Sequence, residues 1–170
     1  MTSPKAAVFD IGNVLLEWDP DRLYGQIFPD PADRQAFYDR TKIYDTNEAI
    51  DRGAPFKPSL YALADAHPSD ADAIRAWHDR WAEMAYALID EAWVALRALR
   101  QKGVPVFALS NFGDESFDLA EKLYPDLKEF DQQFISGRLK TIKPEPKIYE
   151  VLERDTGTVS YTHLTLPTKA

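Results

Sequence analysis

The chain has 170 residues, with 20 Lys plus Arg against 28 Asp plus Glu, a formal net charge of −8. That length suits one domain carrying at most an insertion, and 45% apolar residues with 12% aromatic are enough to bury a core. The acidic balance argues against a nucleic-acid or membrane-surface partner, and the absence of Cys excludes disulfide, thiolate-zinc, iron–sulfur and cysteine-nucleophile chemistry.

The first element is Ala6-Ala7-Val8-Phe9, a short continuous apolar run closed by Asp10. Such a run predicts a strand buried on both faces, as in a parallel sheet. It is far too short for a signal peptide or a membrane span, so a cytoplasmic protein is expected. A long helical stretch follows, about Trp18 to Leu88. Asp19-Pro20 and Asp30-Pro31 read as an N-cap followed by Pro at the first helical position. Phe56 to Ala66 and Ser69 to Tyr86 predict two further helices, the second carrying Ile74, Trp77, Trp81 and Met84 at offsets of three and four. At this length the stretch exceeds any ordinary strand–helix connection, and an all-helical module inserted after the first strand is expected. Glu91 to Lys102 is helical in pattern, with Gly103 where a C-terminal cap belongs. Val104 to Leu109 is the second buried strand, ending in Ser110-Asn111-Phe112-Gly113. Ser116 to Tyr124 reads as helix stopped by Pro125, Phe134-Ile135-Ser136 as a third strand, and Pro146 to Arg154 as a last helix. Strands alternating with helices predict a doubly wound α/β fold with a parallel sheet. The predicted organisation is a discontinuous core of residues 1–17 and 89–158 around a helical cap of residues 18–88.

In open α/β sheets ligands bind beyond the carboxyl ends of the strands. Asp10, Ser110-Asn111 and the Lys143 loop fall there on three successive strand–helix units. Asp10 sits in Asp10-Ile11-Gly12-Asn13-Val14, where Gly12 allows a tight turn and close backbone approach. A carboxylate so placed suits a nucleophile or a metal ligand. Ser110 offers a hydroxyl beside backbone N–H groups near a helix start, suited to an anionic oxygen or simply to capping that helix. Lys143, held extended by Pro144, would place a positive charge against a phosphate. His67, His78 and His163 are scattered without metal-ligand spacing, and Trp77 with Trp81 reads as packing.

These ordered segments, VFDIGNVL, ALSN and IKPEPKIYEVL, resemble the first three motifs of the haloacid dehalogenase (HAD) superfamily, in its branch of small-molecule phosphatases with a helical cap. The resemblance implies an incomplete Rossmann-like core and hydrolysis of a small phosphate ester, such as a sugar phosphate, through an aspartyl-phosphate. On that reading Asp10 is the nucleophile, and Mg²⁺ is held by the Asp10 carboxylate and the Gly12 carbonyl. Ser110 and Asn111 bind phosphoryl oxygens, and Lys143 neutralises charge on the phosphate and nucleophile. Two departures stand out. Gly12 occupies the position where most of these phosphatases carry a second Asp as general acid and base, which leaves the proton donor unassigned. No Asp or Glu follows Asp155, whereas the family's acidic fourth motif is expected there. The tail Val159–Ala170, VSYTHLTLPTKA, resembles a translated sequencing-library adaptor. A core that stops near Thr158, with an incomplete metal site and impaired activity, is therefore expected. The alternatives are a 2-haloacid dehalogenase, which uses the same Asp without a metal, and a non-catalytic fragment.

Overall fold

The computed structural model describes residues 5–158. The chain enters as β1 (Ala7–Phe9), turns, and continues as β2 (Leu16–Trp18). Five helices follow: α1 (Asp21–Ile27), α2 (Pro31–Thr41), α3 (Ile43–Asp51), α4 (Phe56–Ala66) and α5 (Ala71–Asp79). Then come β3 (Ala85–Leu88), α6 (Asp90–Gln101), β4 (Val106–Ser110), α7 (Asp114–Leu123), β5 (Gln132–Ile135), α8 (Ser136–Leu139) and α9 (Pro146–Thr156).

Three strands form a parallel sheet in the order β1-β4-β5, with Phe9 opposite Ala108 and Ser110 opposite Ile135. Every residue of β4 is buried, as expected for a strand covered on both faces. Alternation sorts the strand residues between two layers. Ala7, Phe9, Val106 and Ala108 face a large cluster that includes Trp93 and Leu96 of α6, Phe117 of α7 and inward residues of α1 to α5, the inserted helices termed the cap below. Phe107, Leu109 and Phe134 face the other way, onto Ile148 and Leu152 of α9. The result is the doubly wound, layered α/β fold. Among the described residues β1 pairs with β4 alone, and the tail from Val159 lies outside them.

The expected caps largely form. Asp30 caps α2 by accepting a hydrogen bond from the Ala32 N–H at 2.8 Å, with Pro31 at the first helical position. Asp19 acts one residue early, accepting from the Asp21 N–H at 2.9 Å. Gly103, at φ 74°, follows the end of α6 in the left-handed conformation that glycine adopts without strain.

The segment from Ser69 to Tyr86 departs from the continuous helix predicted for it. Its α-helix ends at Asp79, a 3₁₀ turn spans Trp81–Glu83, and the chain then extends as β3. Antiparallel pairing with β2, Leu16 against Leu88, claims the backbone that the helix would have used. A 3₁₀ turn repeats every three residues, so Trp81 and Met84 still reach the core and mimic helical spacing in the sequence. The inserted segment is thus helical up to a closing two-stranded ribbon, β2 with β3.

Two fully enclosed tryptophans anchor this arrangement. Trp93 on α6 donates its indole N–H to the Leu15 carbonyl at 2.9 Å, tying the layer beneath the sheet to the turn after β1. Trp77 sits at the centre of the cap, edge-on to Trp18 at 6.0 Å and to Tyr44 at 5.4 Å. Its indole nitrogen has no hydrogen-bond partner among the described residues. Trp93→Phe is therefore expected to lower unfolding free energy by about 1 kcal/mol more than Trp77→Phe, because only the former removes a hydrogen bond. Urea denaturation of the two variants side by side measures the difference.

Candidate active site

The register of β1 against β4 decides what meets at the end of the sheet. Phe9 lies opposite Ala108, so the chain leaves β1 at Asp10 close to where β4 ends at Ser110. Asp10 Oδ1 accepts hydrogen bonds from Ser110 Oγ at 2.8 Å and from the Ile11 N–H at 2.8 Å. Its other oxygen, Oδ2, lies 2.7 Å from Lys143 Nζ. Ser110 is buried, whereas the side chains of Asp10 and Lys143 are 37% and 21% exposed. The ion pair thus stands at the edge of solvent, where an incoming molecule can reach it and where water weakens the attraction between its charges. Asp10, Ser110 and Lys143 converge as expected.

Asn111 also takes a structural role that was not expected. Its Oδ1 accepts from the Lys143 N–H at 2.7 Å and its Nδ2 donates to the Lys143 carbonyl at 3.0 Å. Both ends of the amide hold the backbone of the Lys143 loop, so Asn111 aims the lysine. A carboxamide nitrogen carries two N–H groups, and the second remains for an anionic oxygen.

Past Asp10 the chain curls around the buried Ile11, whose carbonyl accepts from the N–H groups of Leu15 and Leu16. Asn13 sits at φ 55°, a conformation that Asn tolerates better than most residues, and its side chain accepts from the Trp18 N–H at 2.8 Å. At Gly12 a Cβ atom would meet nothing within 4 Å, so this glycine leaves open ground beside the carboxylate rather than relieving a clash. Among the described residues no donor reaches the Gly12 carbonyl. Asp10 and Gly12 together offer hard oxygen ligands of the kind Mg²⁺ takes, and that ion commonly completes its shell with waters and substrate phosphate. Among the described residues there is no group of three or more His, Cys, Asp or Glu that could hold a metal without such help.

Beside this constellation a pocket of about 90 Å³ separates cap from core. Its core side includes Gly12, Asn111 and Phe112, and its cap side includes Trp81, Asn47 and Asp51. The last two were not singled out from sequence, although Tyr44 to Gly53 is the stretch of the cap best placed to reach the site. Asp51 ends α3 and is the sole ionisable side chain among the described residues lining the pocket. Burial pushes its carboxyl up to about 7, opposed by a hydrogen bond from the Gly113 backbone and reinforced by the charge of Glu48.

The same end of α3 is fastened to the core. Ser136 Oγ donates to the Asp51 carbonyl at 2.6 Å and accepts from the Phe112 N–H at 2.9 Å. Lys140 Nζ donates to the Gly53 carbonyl at 3.1 Å, and Arg52 pairs with Glu145 at 2.5 Å. Arg52 and then Thr141 hold the Glu145 carboxyl down to about 2. Gly113 is required here, since a Cβ would stand 2.5 Å from Ile50 Cγ2 on the cap. His67 and His78 are remote from these contacts in the cap; His78 lies 2.7 Å from the Asp79 carboxylate, and His163 lies outside the described residues.

No family model matches the sequence, and neither does any curated protein. Solved structures do match. A HAD family enzyme from Bacteroides thetaiotaomicron, BT-2542, superposes with a TM-score of 0.70 at 20% identity, covering 96% of this chain and 84% of that one. The same enzyme has been crystallised with magnesium and inorganic phosphate. A dehalogenase matches with a TM-score of 0.67 at 24% identity over 100% of this chain and 79% of its own. The L-2-haloacid dehalogenase RSc1362 matches at 0.63 and 22% identity, over 96% and 78%. The fold of this chain is that of the HAD family enzymes and haloacid dehalogenases.

Proposed function

We propose that the chain is a Mg²⁺-dependent hydrolase of the HAD type that removes phosphate from a small phosphorylated metabolite, with Asp10 as nucleophile. The observation that carries this reading is the placement of one carboxylate oxygen against Ser110 Oγ and the other against Lys143 Nζ, at the end of a parallel sheet. A strand-end carboxylate held by a hydroxyl and an ammonium is aimed and charge-balanced before substrate arrives, which lowers the entropy cost of attack. The magnesium and phosphate complexes of the Bacteroides enzyme with the same fold point the same way.

The ester's phosphoryl group would sit against Asp10, its oxygens taking hydrogen bonds from Ser110 Oγ and the second N–H of Asn111 Nδ2. An Asp10 oxygen attacks phosphorus, the bond to the leaving group breaks, and an aspartyl-phosphate forms on Asp10. Lys143, already 2.7 Å from the carboxylate, balances the negative charge that accumulates on the transferring group. Asn111 keeps that ammonium in place through the Lys143 backbone. Mg²⁺, bound by the Asp10 carboxylate and the Gly12 carbonyl, would draw charge from a phosphoryl oxygen. Water then cleaves the aspartyl-phosphate, releasing phosphate and restoring Asp10. The pocket beside the site, of about 90 Å³ and lined in part by Trp18, Trp81 and Phe112, is small and suits a compact organic portion.

The dehalogenase neighbours favour one other reading, attack by the same Asp10 on a halogen-bearing carbon. Incubation with 2-haloacids and with small phosphate esters, in parallel, separates the two. Phosphate release without halide release is expected. Asp10→Asn is expected to cut phosphate release by about 10³-fold or more, since the amide lacks the anionic oxygen. Lys143→Ala should cost about 10²-fold through lost charge stabilisation. Asn111→Ala should cost about 10-fold through loosening of the Lys143 loop. Chelation of Mg²⁺ should abolish turnover, and restored metal should return it. Wild-type rates in Asp10→Asn would overturn the assignment.

A further inference from the structure

Cleaving a phosphate ester of an ordinary alcohol leaves an alkoxide oxygen that needs a proton, and the later attack by water needs a group to take one away. None of Asp10, Ser110, Asn111 or Lys143 is free for that task, because each already holds or balances the phosphoryl group in the mechanism above. On the core side of the pocket, Gly12 leaves open space where a side chain would otherwise stand. On the cap side stands Asp51, the one ionisable side chain among the described residues lining the space that the leaving group would occupy.

We propose that Asp51 is the general acid and base of the reaction, so that the cap supplies the proton-transfer group and the core supplies the nucleophile. The proposal rests on the phosphoryl-transfer reading of Asp10. In the first step the Asp10 oxygen forms a bond to phosphorus, the bond from phosphorus to the ester oxygen breaks, and the Asp51 carboxyl gives its proton to that oxygen. An alcohol leaves, and Asp51 is now a carboxylate. In the second step Asp51 removes a proton from water as its oxygen bonds to phosphorus. The bond from phosphorus to Asp10 then breaks, and both carboxyls return to their starting states.

Three features equip Asp51 for the role. Its main chain is clamped, since Ser136 Oγ holds its carbonyl and Lys140 Nζ holds the Gly53 carbonyl two residues on. Its side chain is oriented by Asn47 Nδ2 at 3.2 Å, on the same helix. It is also largely shielded from water, which favours the neutral acid near neutral pH. The surrounding charges do not cancel that preference. Glu48 on its own helix reinforces it, and Arg52 is turned to Glu48 and Glu145. Arg138 after β5 pairs with Asp114 and Asp118, Glu115 of α7 accepts from the Phe56 N–H, and Lys57 of α4 lies over Tyr61. Asp10 and Lys143 satisfy one another.

The test compares Asp51→Asn with the unsubstituted chain on two esters, an alkyl phosphate and p-nitrophenyl phosphate. A nitrophenolate leaves without needing a proton, whereas an alkoxide does not. Asp51→Asn is expected to slow the alkyl ester by about 10²-fold or more and the nitrophenyl ester far less. In the unsubstituted chain alkyl-ester turnover should fall as pH rises through about 7, where the acid loses its proton, and this limb should vanish in Asp51→Asn. A readout that needs no turnover accompanies these rates. The ¹³C carboxyl resonance lost in Asp51→Asn should titrate near pH 7 in the unsubstituted chain. Asn preserves size, so the variant should fold, and circular dichroism checks that it does. Equal slowing of both esters, or a resonance that titrates with ordinary surface carboxylates, would overturn the proposal. Failure of the underlying reading looks different: Asp10→Asn would then leave phosphate release untouched.

Discussion

The parallel pairing of β1 with β4 is the constraint on which the rest of the molecule depends. It sets Asp10 and Ser110, 100 residues apart in the chain, within one hydrogen bond of each other. Closing so long a loop costs entropy that grows only slowly with length, so a cap of this size can be inserted between the two strands without great penalty. The contacts that offset this cost are apolar and lie on both sides of the sheet. One face rests on Trp93, Leu96 and Phe117, the other on Ile148 and Leu152. The polar cluster at the strand ends contributes little stability by itself, since its ion pair is partly exposed. Its position is determined by the packing beneath it.

The cap is joined to this core covalently at two places and by polar contacts at a third. The ribbon of β2 with β3 carries the chain out and back, and the Trp93–Leu15 hydrogen bond fixes the exit turn. The far end of the cap, where α3 stops, meets the loops that follow β4 and β5. There Ser136 bonds both Asp51 and Phe112, and Arg52 reaches Glu145 in the segment that also carries Lys143. The arrangement couples cap position to the site, because residues on both sides of the pocket belong to the same hydrogen-bonded set. Most of these contacts are few-membered and partly exposed. Away from these contacts the cap has its own aromatic core, built on Trp77, Tyr24 and Phe37.

Burial differs between core and cap at this end of the sheet. Asp10 and Lys143 lie at the rim, partly exposed. Asp51 lies deeper, between a helix end and a loop, where its charged form is disfavoured. Its surroundings alone thereby raise the proton affinity of the Asp51 carboxyl.

Much of this was legible in the sequence. Continuous apolar runs followed by polar residues predicted the strands of the sheet and placed Asp10, Ser110 and Lys143 at or after strand ends, because an apolar run and the polar residue that closes it are local properties of the chain. Gly103 and Asp30-Pro31 marked helix boundaries correctly for the same reason. The strand at Ala85–Leu88 was not legible, since its residues are unremarkable until β2 lies beside them. Asn111 read as a phosphate ligand, and that its amide also clamps the Lys143 backbone appeared only when that loop lay beside it. Asp51 carried no signal at all. One Asp among 28 acidic residues is distinguished only by what surrounds it, and its surroundings come from α3, the loop after β4 and the segment after β5. The sequence by itself therefore determined the fold class, the strand ends and the placement of Asp10 at one of them, all of which rest on short-range pattern. The tertiary structure alone decided which side chain would be desolvated across the pocket, because burial is a property of packing between segments distant in the chain.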